Sequence, residues 1–269
     1  MNTSTMPEEK VIIIGAGPAG IACALQLKRY DIDSLLIEKN EIGGLVKNAW
    51  RLDNYPGFPD GISGLELVKK LSEHIRRFDI RYSISDIRTS NHFGGYFQIA
   101  GDGKEFSCEF LVIATGTKAK HPQGDQIYTE VYPLLEVTGK KIDIVGAGDA
   151  AFDYAMSLSV HNKITIHNRG TNIKCIPALL DMALEHPNIS YVENSSPSFS
   201  SDYTIFATGR EPDLDCLSDE LRKKQKHLEQ EGLLYVIGDV KNGMVRQTSV
   251  ATGDGIRAAM AIKDRLKSG

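Results

Sequence analysis

A glycine-rich turn near the start of the chain constrains the fold more than any other feature of the sequence. Residues 15–20 read Gly-Ala-Gly-Pro-Ala-Gly and lie between a predicted β-branched strand, residues 10–14, and a predicted helix, residues 18–30. The first glycine permits the tight turn, the second lets a pyrophosphate approach the backbone, and the third lets helix and strand pack closely. We call residues 15–20 the first glycine turn.

The next strand strengthens this interpretation, because it ends in an acid. Residues 33–38 are predicted to form an apolar strand whose last residue is Glu38. A carboxylate at that position can accept hydrogen bonds from two ribose hydroxyls and would repel a 2′-phosphate. The strand, the turn, the helix and Glu38 together predict a dinucleotide-binding unit.

The same pattern occurs a second time. Residues 141–145 are a predicted strand, residues 146–151 read Gly-Ala-Gly-Asp-Ala-Ala, and a helix over 149–159 and a strand over 163–167 follow. Each copy ends in a strand that runs into Ala-Thr-Gly, at 114–116 and 207–209. We call residues 146–151 the second glycine turn. The repeat predicts an α/β fold with two Rossmann-like dinucleotide-binding domains.

The second copy lacks the acid at the end of its second strand. His167, Asn168 and Arg169 stand there instead, and Lys174 follows. Positive charge at this place suits a 2′-phosphate, so NADPH is favoured over NADH. The alternative is a vestigial unit that binds no nucleotide.

Composition excludes several classes of function. A net charge of −4 and a pI near 6.0 argue against nucleic acid or an anionic membrane as the main partner. The first ten residues lack the pattern of a signal peptide, and the apolar stretches have strand length, so a cytoplasmic protein is expected. The four cysteines, Cys23, Cys108, Cys175 and Cys216, lie far apart without a CxxC. We therefore expect neither disulfides nor a metal site, and a buried apolar role for each cysteine.

The remaining segments have clear local patterns. Ser63 is predicted to cap an amphipathic helix with the apolar face Leu65, Leu67, Val68, Leu71 and Ile75. An antiparallel meander is predicted between 80 and 110, and strands over 110–114, 189–193, 204–207 and 233–237. Helices are predicted near 177–185 and over 248–266, whereas residues 222–231 look charged and solvated.

Motifs along the whole chain resemble those of the thioredoxin reductases and the related ferredoxin (flavodoxin)–NADP reductases, flavoproteins with two dinucleotide-binding domains. They are GAGPAG at 15–20, IGG at 42–44, NYPGFP at 54–59, ATG at 114–116, GAGDAA at 146–151, ATGREP at 207–212, GDV at 238–240 and RQTSVATGDG at 246–255. The resemblance implies a discontinuous FAD-binding domain, residues 1–117 and 210–269. A shortened NAD(P)H-binding domain, residues 118–209, would be inserted into it.

The resemblance also implies which residues bind the two cofactors, FAD and NADPH. For FAD they are Gly15, Gly17, Pro18, Ala19, Gly20, Glu38, Gly43, Gly44, Leu45, Asn54, Ala114, Thr115, Gly116, Gly238, Asp239, Arg246, Gln247 and Thr248. For NADPH they are Gly146, Gly148, Asp149, Ala150, Arg169 and Lys174. Hydride transfer needs no acid or base, so we expect no catalytic residue in this chain.

Two departures from the family pattern change the expected function. Thioredoxin reductases carry a redox CxxC that would fall at residues 129–132, where this chain has no cysteine. The family's β-meander in the second domain is reduced to one predicted strand and a polar link within residues 188–203. An ordinary thioredoxin reductase is therefore excluded, since electrons cannot pass through an internal disulfide.

The sequence predicts an FAD-dependent NAD(P)H oxidoreductase whose flavin passes electrons directly to an external acceptor. That acceptor would be a ferredoxin- or flavodoxin-like protein or a small molecule. One alternative is a reductase of small-molecule disulfides or quinones; another is a flavin-binding electron relay, subunit or redox sensor without nicotinamide. The resemblance further implies a homodimer, and hinges at residues 118–124 and 210–213.

Overall fold

The computed structural model describes residues 7–121, 124–198 and 200–268. The strands are β1 (Glu9–Ile14), β2 (Ser34–Glu38), β3 (Tyr82–Ile84), β4 (Ile87–Phe93), β5 (Tyr96–Gly101), β6 (Lys104–Ile113), β7 (Thr117–Ala119), β8 (Ile127–Tyr128), β9 (Lys141–Val145), β10 (Lys163–His167), β11 (Ile189–Val192), β12 (Tyr203–Phe206), β13 (Arg210–Pro212) and β14 (Leu234–Val236). The α-helices are α1 (Pro18–Arg29), α2 (Gly64–Arg77), α3 (Asp149–Leu158), α4 (Pro177–Glu185), α5 (Asp219–Gln230) and α6 (Thr248–Ser268). None of the helices in these described residues has the length and apolar character needed to cross a membrane.

The chain divides into two compact units. The first unit takes the described residues of Met1–Val46, Leu67–Lys118 and Glu211–Gly269, and the second those of Lys47–Glu66 and Ala119–Arg210. The sequence predicted that residues 47–66 belong to the FAD-binding domain. In the structure, the contacts of these residues group them with the second unit. The short strands β7 and β13 pair where the chain passes between the units. The predicted hinges lie there, apart from residues 122 and 123, which are outside the described residues.

The sheet of the first unit combines parallel strands with a meander. Its parallel strands run in the order β3-β2-β1-β6-β14, and β4 and β5 extend it as the predicted antiparallel meander next to β6. Strand β1 is buried on both faces: Val11 and Ile13 pack towards α1 and α6, and Ile12 and Ile14 pack on the side of α5. A continuous β-branched run is what a central parallel strand covered on both sides requires.

The sheet of the second unit is entirely parallel, in the order β11-β10-β9-β12-β8. Its apolar face carries Ile142, Ile144, Ile164 and Ile166, which pack in one cluster with Phe152 of α3. Between 188 and 203 the structure describes one strand, β11, and no meander in the residues it covers. The predicted α/β fold with two Rossmann-like units is confirmed.

One helix was not predicted, and one predicted apolar face was partly wrong. Residues 222–231, predicted only as charged and solvated, are largely exposed and form most of α5, whose Leu221 and Leu228 are buried. Two apolar residues seven positions apart are too few to reveal an amphipathic helix in a charged background. In α2 the predicted cap is confirmed, since Ser63 Oγ accepts from Glu66 N–H at 3.2 Å, but Leu65 is 46% exposed and does not join the apolar face.

Candidate functional site

The first glycine turn lies where the strand order of the first sheet reverses. It follows β1, which pairs with β2 on one side and β6 on the other. Gly15 has a φ of +107°, and a Cβ built on it would lie 2.3 Å from the carbonyl oxygen of Ala114, which follows β6. Only glycine fits there. In an open α/β sheet the carboxyl edge at such a reversal is the place where ligands bind.

The start of α1 lies beside this turn, and its N-cap residue supplies no side-chain cap. Its N-cap is Gly17, which forms no side-chain hydrogen bond to the helix. A Cβ on Gly17 would meet only the Cα of Gly44, at 4.0 Å, so the backbone can be approached closely. Free N–H groups and the positive end of the helix dipole stabilise a phosphate at such a site.

Glu38 completes the edge at the end of β2. Its side chain is largely buried; Oε2 accepts from Ala16 N–H at 2.8 Å, and Oε1 accepts from Asn40 N–H at 3.1 Å. These bonds tie the carboxylate to the glycine turn itself. Each carboxylate oxygen keeps a further acceptor direction, which suits the two hydroxyls of a ribose.

A cavity of about 350 Å³ opens next to Glu38 within the first unit, in the size range of small-molecule sites. Its lining includes several residues that the motifs did not indicate. They are Lys39, Ser85, Asp86, Ile87, Arg88, Asp213, Asp215 and Cys216. Ser85 directly follows β3, the parallel partner of β2, so its place at the carboxyl edge could have been inferred from strand pairing.

Residues from the end of the chain pack directly on the start of α1. A Cβ on Gly238 would lie 2.9 Å from the Cβ of Ala19, and one on Gly255 would lie 2.1 Å from the carbonyl oxygen of Ala19. The carboxylate of Asp254, which the motifs did not single out, accepts from Gly238 N–H at 3.2 Å and from Asn242 Nδ2 at 2.7 Å. These contacts bring the segment that carries Asp239 to the first glycine turn.

The predicted FAD residues are divided between the units as follows. Asn54 belongs to the second unit. Those in the first unit are Gly15, Gly17, Pro18, Ala19, Gly20, Glu38, Gly43, Gly44, Leu45, Ala114, Thr115, Gly116, Gly238, Asp239, Arg246, Gln247 and Thr248. In the first unit, the helix start without a side-chain cap, the closely packed glycines and the hydrogen-bonded carboxylate of Glu38 fit a dinucleotide.

The second glycine turn has the same backbone design. Gly146 has a φ of +145°, and a Cβ on it would lie 2.6 Å from the carbonyl oxygen of Ala207, which follows β12. Gly148 is the N-cap of α3 and supplies no side-chain cap to the helix. Apart from its chain neighbours, no atom would lie within 4 Å of a Cβ built on Gly148. This helix start is therefore open to an anion as well.

The loop after β10 folds beside the second glycine turn. Lys174 N–H donates to the carbonyl oxygen of Ala147 at 2.7 Å, and Asp149 Oδ1 accepts from Ile176 N–H at 2.8 Å. Arg169 and Lys174 are both exposed. The six predicted NADPH residues thus lie in one unit, and its loop after β10 carries two exposed cations, which fits a phosphorylated nucleotide.

Where a redox CxxC would stand, the chain has anchoring residues instead. Val131 is fully buried in the core of the second unit. The carboxylate of Glu130 accepts from Tyr154 Oη at 3.0 Å and forms an ion pair with Arg210. These contacts hold residues 129–132 in place and contain no sulfur.

The four thiols are separate from one another, and the pKa of each is raised. Cys23, Cys108 and Cys216 are buried, as predicted, and burial raises the pKa of each of these thiols. Cys175 is only half-buried; desolvation, followed by the charge of Asp149 and a hydrogen bond to it, raises the pKa of its thiol to about 12. The thiolate is the form that attacks disulfides, so none of the four is poised for exchange at neutral pH.

The family model of the pyridine nucleotide-disulphide oxidoreductases matches residues 9–189, which is more than half of the chain. The chain belongs to the pyridine nucleotide-disulphide oxidoreductase family. Membership of this family confirms an enzyme and implies binding of FAD and NAD(P)H. The glycine turns described above fit both nucleotides.

Known relatives place the chain near one branch of the pyridine nucleotide-disulphide oxidoreductases. It is 27% identical to the thioredoxin reductase of Bacillus subtilis over 96% of both chains. The structure of Lactococcus lactis thioredoxin reductase superposes with a TM-score of 0.83 at 21% identity, covering 97% of this chain and 100% of that one. Bacillithiol disulfide reductase from Staphylococcus aureus superposes with a TM-score of 0.73 at 18% identity, covering 98% and 100%. At these identities the two structures show the fold alone, which is thioredoxin reductase-like.

Proposed function

We propose that this protein is an NADPH-dependent flavoenzyme that passes electrons from FAD directly to an external acceptor, without an internal dithiol. FAD, when bound, would supply the redox chemistry between the nicotinamide and the acceptor. The part of this chain is to bind and orient the two nucleotides.

The observation that carries the proposal is the separation of the thiols. The sequence contains no CxxC, three cysteines lie in the cores of the first unit, and Cys175 is in the second. Residues 129–132 are held by the Glu130 contacts instead of carrying a disulfide. An acceptor must therefore take its electrons from the flavin itself.

The preference for NADPH is supported by charge. The position after β10 holds Asn168 instead of an acid, so no carboxylate there repels a 2′-phosphate. The exposed Arg169 and Lys174 supply positive charge near the second glycine turn. The guanidinium of Arg169 suits bidentate bonding to a phosphate.

Anaerobic mixing of the FAD-loaded protein with NADPH or NADH tests the proposal. We expect NADPH to bleach the flavin absorbance faster than NADH at equal concentration. If neither nucleotide bleaches the flavin at millimolar concentration, the protein is a flavin-binding relay, subunit or sensor, and the proposal is wrong.

The acceptor is tested by following reoxidation of the reduced flavin. A ferredoxin- or flavodoxin-like acceptor docks through charged surfaces, so its rate should fall as salt rises. A small-molecule disulfide or a quinone should react at a rate that salt barely changes. The bacillithiol disulfide reductase among the structural relatives makes a low-molecular-weight disulfide the second candidate acceptor.

A further inference from the structure

Equivalent main-chain hydrogen bonds occur in the two units, and they show which residues of one unit correspond to which residues of the other. In the first unit, Gly15 N–H donates to the carbonyl oxygen of Ile37 at 2.7 Å. In the second, Gly146 N–H donates to the carbonyl oxygen of His167 at 3.0 Å. Residue 167 therefore corresponds to residue 37, and the residues that follow them correspond too.

The next pair of hydrogen bonds extends this correspondence to the neighbouring strand. Ser85 N–H donates to the carbonyl oxygen of Glu38 at 2.8 Å, and Ser195 N–H donates to the carbonyl oxygen of Asn168 at 2.9 Å. Asn168 thus occupies the position of Glu38, and Ser195 that of Ser85. Glu38 and Ser85 both line the cavity of the first unit.

Asn168 cannot act on a ribose as Glu38 can, because its amide is already engaged. Its Nδ2 donates to the carbonyl oxygen of Asn172 at 3.1 Å and to Tyr191 Oη at 2.9 Å. Its Oδ1 accepts from Gly170 N–H at 3.1 Å. The side chain shapes the loop after β10, so a polar contact to the adenosine end of a coenzyme has to come from another residue.

Ser195 has the position and the orientation for such a contact. Its Oγ lies 2.8 Å from Nδ1 of His167, and Nε2 of His167 lies 3.4 Å from Oδ1 of Asp143. Both His167 and Asp143 are buried, whereas Ser195 is only half-buried. A buried imidazole therefore lies within hydrogen-bond distance of the hydroxyl of a half-buried residue, and a hydroxyl has one donor and two acceptor directions.

We propose that Ser195 hydrogen-bonds the adenosine moiety of the nicotinamide coenzyme and that His167 positions its hydroxyl. The inference rests on the proposed function, since it assumes that the second unit binds NAD(P)H. Ser195 is the binding residue, and His167 acts through it. Arg169 remains the residue that reads the 2′-phosphate, so the two contributions can be separated.

Calorimetric titration of the FAD-loaded protein with 2′,5′-ADP and with 5′-AMP tests this role without any turnover. Losing one hydrogen bond to the ligand should weaken binding by roughly 5- to 20-fold, so Ser195→Ala should weaken both ligands by that factor. The ratio of the two affinities should stay unchanged, because Ser195 does not contact the 2′-phosphate. Ser198→Ala is the matched control: its hydroxyl lies 2.7 Å from that of Ser200 in the same link, and binding should be unaffected.

The role of His167 is tested by removal and conservative rescue. His167→Ala should weaken both ligands as Ser195→Ala does, whereas His167→Asn should restore affinity because its amide can replace Nδ1. Thermal unfolding identifies any variant that fails to fold; in that event Ser195→Ala and Ser195→Thr, which keeps a hydroxyl, decide the question. If His167→Asn and His167→Ala lose the same affinity for both ligands while both variants are folded, the positioning role is contradicted.

The outcomes separate this inference from the proposed function. If NADPH bleaches the flavin but Ser195→Ala binds 2′,5′-ADP like the unchanged protein, the inference is wrong and the proposed function stands. If the unchanged protein binds neither 2′,5′-ADP nor 5′-AMP and its flavin stays oxidised with NADPH, both are wrong.

Discussion

The two glycine turns of this protein have the same backbone and different surroundings. In the first unit Gly43 N–H donates to the carbonyl oxygen of Ala16 at 2.8 Å; in the second Lys174 N–H donates to that of Ala147 at 2.7 Å. The same main-chain arrangement therefore occurs in both units. At equivalent positions the first unit has Gly43 and the second has Lys174. The comparison teaches that the two units share a backbone design and differ in the side chains around it.

The turns also differ in how tightly the helix packs against them. The last residue of the first turn is Gly20, where a Cβ would lie 1.9 Å from the carbonyl oxygen of Gly15. The last residue of the second turn is Ala151, which is fully buried and carries a Cβ without disruption. The first helix is therefore seated more closely than the second.

The largest expected effect on stability and FAD content comes from replacing the last residue of the first turn. Gly20→Ala should push α1 off the first turn, since backbone oxygen cannot yield, and should cost about 3 kcal/mol or more of unfolding free energy. The purified variant should have lost most of its FAD, measured by absorbance after release. Ala151→Gly is the control and should cost only about 0.5–1 kcal/mol through backbone entropy, with FAD retained. A Gly20→Ala protein with full FAD content and unchanged stability would contradict the packing argument.

A smaller effect is expected from the cation that distinguishes the second turn. Arg169→Ala should weaken NADPH binding by roughly 10- to 100-fold and leave NADH nearly unchanged, because a charge-assisted bond to the 2′-phosphate is lost. Dissociation constants for both nucleotides measure this change. Lys163→Ala, at the other end of β10, is the matched control. If the preference between the two nucleotides is the same with and without Arg169, the assignment of this residue is wrong.

The smallest effect concerns the half-buried Asp153, whose position in the first unit is taken by an alanine. Asp153 lies in α3 five residues after Gly148, where α1 has Ala22 after Gly17. Its Oδ2 accepts from Trp50 N–H at 2.9 Å. Burial raises the pKa of this carboxyl from 3.8 to about 6, although the hydrogen bonds from the backbone of Trp50 and Arg51 oppose the shift.

This shift makes stability depend on pH in a defined direction. An acid whose pKa is raised by folding stabilises the fold while it is protonated, and that contribution is lost as pH rises through about 6. Asp153→Asn keeps an acceptor for the Trp50 N–H and removes the charge. It should therefore raise the unfolding free energy by about 1–2 kcal/mol at about pH 8 and by almost nothing at about pH 3, below the pKa of the unfolded state. Denaturant unfolding at both pH values measures this, and a gain of equal size at both would contradict the burial argument.

Local signals allowed much of the fold to be predicted from the sequence. Both glycine turns, the Ser63 cap and the acid at Glu38 lie where the patterns indicate, because turn geometry and helix capping depend on a few adjacent residues. Helix α5 was missed, because only its contact with the first sheet makes two leucines a buried face.

The candidate site could be predicted only in part. The residues of the glycine turns follow from motifs, but Ser85 and Ser195 follow from strand pairing, which no local pattern reveals. Asn54 belongs to the motif at 54–59, which the family resemblance assigns to FAD. Residues 47–66 are nevertheless grouped with the second unit, through contacts such as that between Trp50 and Asp153. Such contacts join residues that are distant in the chain.

The sequence by itself determined that this chain forms two dinucleotide-binding turns and has no dithiol, because glycine, strand and helix signals are local and cysteines can be counted. The tertiary structure alone decided that Gly238 packs on Ala19 and that the pKa of the Asp153 carboxyl is raised. It also decided that His167 holds the hydroxyl of Ser195. Burial, a shifted pKa and a held hydroxyl all depend on which distant segments meet, and that is settled only when the whole chain packs.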